Sequence, residues 1–455
     1  MVNKKVKALG VRKFAGLIPI LILLIFLVLS TLIPYLPLSK PGLNSAPFGQ
    51  PAKSNPYVRA TTDDRLVFTY YFYWYDWNST FHFSSPECAD WNAYHPVEPE
   101  NVSYLDPDWH YRELKDMISA GVDVVLPVYD GNPLLQSHPS EKWAWEGLPP
   151  LISAIDRLKA ENYNTENIRH ATNPIPKVGM FYDTSLLEHG FTDEELDAAD
   201  PLNNVTLWEY FYNGFSDFFS YFDPSYLQQV EHPDDPTKPS AYIVWMWFPN
   251  KMSEFSQRTI DYVQDRFLTE FNHSLLFVGT GGNTWRDSWM GNAPEIDGAY
   301  RWMPAEQGYG FCEFSPIRIG TAIAGVNFGN CTNGSVCVDD RDSRYFPHDP
   351  EKYRRSLQAL SDLQCNWVAL DTWNEFHEGT TICRTIEHGD TFIQIAGEWS
   401  MQFHDKPVAT QLELIFIDDP EFLFLIVGCI FLSGIILSFL KSRNEKNNNT
   451  DYRPS

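Results

Sequence analysis

Basic residues are scarce in this chain. Its 34 Lys and Arg stand against 59 Asp and Glu, a formal net charge of −25 over 455 residues. That balance excludes nucleic acid as a partner, since phosphates require a basic surface, and it excludes acidic polymers on the same ground. Cysteine is sparse, and no Cys-x-x-Cys pair occurs, so the spacings match no zinc template. No phosphate-cradling loop is present: Gly279-Thr280-Gly281-Gly282 falls short of the dinucleotide fingerprint and reads as a strand-end turn. His377-Glu378 is not followed by the second histidine of a zinc-protease helix, because Thr381 occupies that place. No cofactor and no metal are expected.

Long apolar runs do occur, one at each end. Residues 14–36 are almost entirely apolar and are preceded by Lys4, Lys5, Lys7, Arg12 and Lys13. About 20 such residues suffice to cross a bilayer core. The run reads as an uncleaved anchor, with a cleaved signal peptide as the alternative; no small-residue cleavage site stands near Pro34 to Pro41. A second run at 422–440 is followed by Lys441, Arg443 and Lys446. Basic flanks favour the cytoplasmic side, so both short tails (1–13 and 441–455) are expected inside and the body of the chain outside. The expected order is then a linker at 37–64, a folded domain at 65–395 and a juxtamembrane segment at 396–421. The composition, 44% hydrophobic and 15% aromatic, is that of a folded body.

Of seven cysteines, Cys429 falls in the second run and six fall outside: Cys88, Cys312, Cys331, Cys337, Cys365 and Cys383. An even external set suits up to three disulfides, with Cys331–Cys337 as the local pair. Glycosylation sequons begin at Asn78, Asn101, Asn204, Asn272, Asn330 and Asn333, all in the external part, and another at Asn448 in the tail placed inside.

Strand and helix signals alternate along the body. Leu66 to Trp74 reads as an aromatic strand. Asp106-Pro107 opens a helix that carries Tyr111, Leu114 and Ile118 on one face, turns Arg112, Glu113, Lys115 and Asp116 away, and stops at Gly121. Val122 to Tyr129 is nearly all apolar, as a parallel strand buried on both faces would be. The pattern recurs with helices at 148–160, 207–222, 253–271 and from Asp349-Pro350, and strands at 177–182, 241–247, 275–278, 296–302, 317–324 and 367–370. About eight strands with helices between most of them predict a (β/α)8 barrel, with an open doubly wound sheet as the alternative.

The strand ends carry chemistry. Trp74, Tyr75, Tyr129, Asp130, Trp247 and Trp302 all sit at or just past C-terminal strand ends, which converge on one face of a barrel. Rings beside carboxylates suit a sugar, whose C–H faces pack on aromatics while its hydroxyls bond to acids and amides. Rings at such positions can equally plug the barrel. The last strand runs straight into Asp371-Thr372-Trp373-Asn374-Glu375-Phe376-His377-Glu378-Gly379-Thr380-Thr381. Two acids three residues apart can face one way, and glycoside hydrolysis needs a protonated acid and an ionised carboxylate. Repulsion and burial beside Trp373 and Phe376 are expected to raise one of the two.

The stretch Trp373 to Thr380 resembles the Trp-Asn-Glu-Trp-His-Glu-Gly-Thr type segment of family 99 glycoside hydrolases, the endo-α-mannosidases and endo-α-mannanases. Tyr70 to Tyr75 looks like that family's aromatic first strand, and Glu113 to Tyr129 is similar to its first helix and second strand. The resemblance implies a retaining, endo-acting glycosidase with a glycan or polysaccharide substrate. It gives Glu375 the role of base on the sugar 2-hydroxyl and Glu378 that of acid on the leaving oxygen, through a 1,2-anhydro sugar. Asn374 and His377 join Trp74, Tyr75, Tyr129, Asp130, Trp247 and Trp302 as candidate substrate contacts. Past the first strand, Asp76 to Phe81 does not follow the family's substrate loop, so the sugar stays open. Two other functions fit the pattern: a non-catalytic carbohydrate-binding surface protein, and a glycosyl-transferring enzyme of polysaccharide assembly using Asp339-Asp340-Arg341-Asp342.

Overall fold

The structure is a computed structural model, and it describes residues 60–84, 92–130, 142–161, 174–184, 205–231, 239–247, 257–280, 296–304, 307–314, 317–327 and 346–405. Both apolar runs, both tails, the Asp339–Asp342 cluster, Cys88, Cys331, Cys337 and Cys429 lie outside these residues, as do the sequons at Asn204, Asn330, Asn333 and Asn448. Among the described residues no helix is long and apolar enough to cross a membrane.

Eleven strands are described: β1 (Leu66–Tyr71), β2 (Val124–Tyr129), β3 (Lys177–Val178), β4 (Met180–Asp183), β5 (Gln229–Val230), β6 (Ala241–Trp247), β7 (Ser274–Thr280), β8 (Gly298–Tyr300), β9 (Tyr309–Phe314), β10 (Ile317–Ile323) and β11 (Trp367–Asp371). Their helices are α1 (Pro107–Ala120), α2 (Lys142–Glu146), α3 (Leu148–Ala160), α4 (Val205–Ser220), α5 (Gln257–Phe271), α6 (Pro350–Asp362) and α7 (Thr391–Asp405). Eight strands run parallel in the order β8-β7-β6-β4-β2-β1-β11-β10. Between β8 and β10 the closure is made by packing: a side chain at Gly298 would sit 2.9 Å from Ile319 Cδ1. This is the (β/α)8-like barrel that the alternation predicts. The sequence pattern misses β9, which pairs antiparallel with β10, because its Gly310 and Glu313 break the apolar run.

The barrel is filled by rings. Phe68 and Tyr70 of β1 meet Trp245 of β6 at 5.2 and 5.7 Å between centroids, and Tyr70 also meets Phe181 at 4.7 Å and Tyr300 at 5.8 Å. All five are buried. The alternate residues of β1 point to the helices instead: Tyr71 bonds His110 of α1 at 2.9 Å, and Tyr73, just beyond the strand, donates to the Ala144 carbonyl of α2 at 2.7 Å. Burying one such ring is worth roughly 1.5–3 kcal/mol, so this interior supplies much of the drive to fold.

Helix boundaries follow their caps. The Asp106 side chain accepts from Asp108 N, Pro107 opens α1, and Gly121 closes it in the left-handed region (φ 75°). Asp349 does the same for α6, accepting from Glu351 N and Lys352 N at 2.9 and 3.0 Å. One face assignment is corrected. Glu113 does not turn to solvent: it is half-buried and accepts the indole N–H of Trp109, four residues earlier, and of Trp373. The three-bridge disulfide set is corrected as well, since Cys365 and Cys383 are buried free thiols. The domain also runs past Ile395, because α7 continues to Asp405 and buries Phe392, Ile395, Trp399 and Phe403.

Helix α7 packs on α1 through Gly397, where an added methyl would overlap the Ser119 carbonyl oxygen. Gly397→Ala should therefore lower stability by about 1–3 kcal/mol. A denaturant midpoint equal to that of the parent chain would show that α7 is not part of this core.

Candidate active site

The segment after β11 is held by the backbone. Trp373 N–H donates to the Tyr70 carbonyl at 2.9 Å, continuing the parallel pairing with β1 past the end of the strand. Asn374 takes over from there. Its Oδ1 accepts from Phe72 N at 2.8 Å and its Nδ2 donates to Phe72 O at 2.9 Å, so a side-chain amide imitates the next rung of the ladder. For this reason β1 ends at Tyr71, short of the Trp74 that the sequence pattern suggests. Asn374 is fully buried, and both ends of its amide are engaged. The turn at 376–379 is clamped from two sides: Ala93 N–H donates to the Phe376 carbonyl and Asn327 N–H to the Glu378 carbonyl, each at 2.9 Å. Gly379 is required there, since φ is +54° and a side chain would sit 2.6 Å from the Asn327 oxygen.

These constraints place Glu375 in the interior, 2% exposed. Its Oε1 accepts the Tyr75 hydroxyl at 3.2 Å and lies 2.8 Å from His377 Nδ1. Its Oε2 is buried and bonds to no described residue. Glu378, one turn on, is half-buried. The two acids thus differ in environment: one is enclosed and gripped by one oxygen, the other is half-buried.

Beside Glu375 rings form a row, with Trp247, Trp302 and Trp74 partly exposed and Phe72 buried between them. Trp247 meets Trp302 at 6.3 Å, Trp302 meets Phe72 at 6.3 Å, and Phe72 meets Trp74 at 4.9 Å. Trp74 lies flat on His82 (4.5 Å, 4°) and 6.2 Å from His377. The Trp74 indole nitrogen is buried without a bond to any described residue. The structure therefore gathers Glu375, His377, Tyr75, Trp74, Trp302 and Trp247 along one mouth. Asp130 stands half-buried at the end of β2. Tyr129 is not among them: its hydroxyl donates to Asp217 of α4 and its ring packs on Phe218, on the helix side of the sheet. Strand alternation separates it from the inward-facing residues. Asn374 and Tyr75 act on the site by holding it. His82 and Glu113 could not be read from the sequence as site supports; the Trp109-to-Glu113 spacing of four was the only signal. Among the described residues no three His, Cys, Asp or Glu stand close enough to hold a metal ion.

A family profile described as a domain of unknown function, DUF5010, matches residues 61–401. The chain belongs to the DUF5010 family. Comparison with curated proteins gives no match. Among solved structures, this DUF5010 chain is similar to a family 99 endo-α-mannosidase from Bacteroides thetaiotaomicron, at 12% identity and a TM-score of 0.45 over 76% of this chain and 98% of that one. It is similar also to a glycoside hydrolase-like protein, at 12% identity and a TM-score of 0.46 over 76% and 97%. An α-L-fucosidase from Vibrio sp. strain EJY3 follows at 11% and 0.38, over 77% and 56%.

Two carboxyls around this segment are perturbed. Burial, helped by neighbouring Asp116, pushes Glu113 up to about 7 against its indole donors. Burial also pushes Asp371, the last residue of β11, up to about 7 against the bond from Met303 N. Both values lie above the unfolded range near 4, so the folded state binds more protons between about pH 4 and 7. Their contribution is complete below that window and is lost as pH rises through 7. The double variant Glu113→Gln/Asp371→Asn should accordingly gain Tm relative to the parent on going from pH 5 to pH 8. An unchanged difference between those two pH values would rule the linkage out.

Proposed function

We propose that the protein is a membrane-anchored glycoside hydrolase whose large domain faces the extracytoplasmic side and cleaves α-linked glycans, such as α-mannosides, with retention. The observation that carries the reading is Glu375: a buried carboxylate with one oxygen fixed by Tyr75 and His377 and the other without a bond to any described residue, beside a row of rings. A buried acceptor of that kind is suited to take a hydroxyl proton, and the rings are suited to the faces of a sugar.

The chemistry follows the roles that the Trp373–Thr380 resemblance implies. Glu375 Oε2 takes the proton of the sugar 2-hydroxyl, and that oxygen attacks the anomeric carbon. The glycosidic bond breaks as Glu378 gives its proton to the leaving oxygen. A 1,2-anhydro sugar results. Glu378, now ionised, takes a proton from water, whose oxygen opens the ring at the anomeric carbon, while Glu375 returns its proton to the 2-oxygen. Two inversions at one carbon give retention.

Glu375→Gln and Glu378→Gln should each fold and reduce turnover of a glycan by about 10²–10⁴. A substrate lacking the 2-hydroxyl should bind without reacting, because the reacting atom itself is gone. Near-normal turnover by either variant would remove that residue from the reaction; brisk cleavage of the 2-deoxy substrate, or a sugar ester on Glu375, would replace the anhydro route with direct attack.

The anchoring part of the proposal rests on the basic flanks of residues 14–36 and 422–440. Protease added to intact cells should digest the barrel and leave both tails protected. A shielded barrel with an exposed tail would reverse the orientation.

A further inference from the structure

The bonds of His377 constrain where its protons are. Nε2 lies 2.7 Å from the His82 carbonyl oxygen. A carbonyl oxygen only accepts, so Nε2 carries hydrogen. Nδ1 lies 2.8 Å from Glu375 Oε1. If Nδ1 were bare and Glu375 ionised, two lone pairs would face each other at hydrogen-bond distance, in a place where the His377 side chain is 11% and the Glu375 side chain 3% exposed. Turning the ring over would put carbons against both oxygens and forfeit both bonds. One further proton therefore lies between Nδ1 and Oε1, on the ring or on the acid.

The surroundings decide which. At one end, the His82 carbonyl dipole points its negative end at the ring, which favours the doubly protonated imidazolium. At the other end, the Tyr75 hydroxyl accepts from Phe376 N–H at 2.9 Å, so its own hydrogen is directed to Oε1, which favours the carboxylate. Both outer partners bond in either form, and both bonds are stronger when the charges are separated. Among the described residues, titratable rings beside it are His82 at 5.1 Å and Tyr75 at 5.4 Å. Burial, with His377 adding to it, pushes His82 well down, so it supplies no competing charge. Burial first, then the charge of Glu375, pushes Tyr75 well up, so it stays a donor.

We propose that His377 is a positioning residue that works as an imidazolium, donating from both ring nitrogens so that Glu375 is held ionised by Oε1 while Oε2 is left to take the substrate proton. The last clause rests on the reading of Glu375 as a glycosidase base; the protonation of the ring does not. In that role His377 neutralises the buried carboxylate without touching the oxygen that reacts. It also couples the loop after β1, through the His82 carbonyl, to the orientation of the acid.

The test separates the two readings. Nitrogen NMR of the full-length protein labelled in histidine, at pH 7, should show a histidine, distinct from the His404 that against its burial Asp123 raises, with both ring nitrogens protonated that disappears in His377→Gln. If no histidine besides His404 is doubly protonated at that pH, or if the signal that vanishes has one bare nitrogen, the proposal is overturned whatever the enzyme does. The first of these outcomes needs no variant, so a His377→Gln chain that fails to fold does not protect the idea. On a cleaved glycan, His377→Gln should move the acidic limb of kcat/KM up by about one pH unit, a tenfold loss at a fixed pH on that limb, with KM little changed. A uniform loss at every pH would mark a merely structural histidine. If no glycan is cleaved by the parent chain, the glycosidase reading fails while the NMR result still stands.

Discussion

The site depends on a side chain that performs no chemistry. The Asn374 amide pairs with both backbone groups of Phe72, and through it the segment after β11 is fixed to the segment after β1. Without it, a buried N–H and a buried C=O would each lose their partner, at about 1–3 kcal/mol apiece. Aspartate in its place could accept from the N–H but could not donate to the carbonyl. With Asn374 fixed, its two neighbours face opposite sides because the chain bends there and no longer runs as a strand, in which residues two apart would share a face. Trp373 turns outward to the Glu113 carboxyl on α1, while Glu375 turns inward to Tyr75. The wall and the reactive group are thus set by one rung of imitation ladder.

That arrangement explains what the sequence could disclose. Apolar runs with helix caps between them revealed the barrel, because parallel strands covered on both faces leave that mark and Asp106-Pro107 and Asp349-Pro350 cap as their residue types require. Helix α7 went unread as part of the domain, and only in space does its Gly397 show as a point of close contact with Ser119 of α1. In the site, Glu375 and His377 were legible as neighbours in one motif, and Trp74 and Tyr75 as a strand end. Asn374 was read as a substrate contact because an amide in a motif suggests one; only the path of the chain shows it facing Phe72. Tyr129 was misplaced because a strand-end position does not say which side of the sheet a residue takes. His82 contributes a backbone oxygen, and no side-chain pattern can reveal that.

The aromatic content acquires two separate meanings in space. Phe68, Tyr70, Phe181, Trp245 and Tyr300 are buried within the barrel and fill it. Trp74, Trp247 and Trp302 remain partly exposed at its mouth. The sequence offered the two explanations, plug and platform, as alternatives for the same rings. They apply to different rings along the same strands, divided by distance from the strand end.

Burying a carboxylate is costly, and among the described residues around Glu375 the bonds that offset that cost reach one oxygen. Tyr75 and His377 both reach Oε1, and the turn that carries His377 is clamped by Ala93 and Asn327 so that it cannot swing to serve Oε2. An enclosed oxygen without a partner destabilises the fold by an amount on the order of 1–3 kcal/mol, more for an ionised group. Folded proteins rarely keep such an atom without a use for it. A donor arriving from outside, such as a hydroxyl, would recover that free energy on binding, and it would do so only at the orientation that aims its hydrogen at Oε2. Oε2 is thus the oxygen of Glu375 that no described residue holds, and it is the one that the proposed reaction uses.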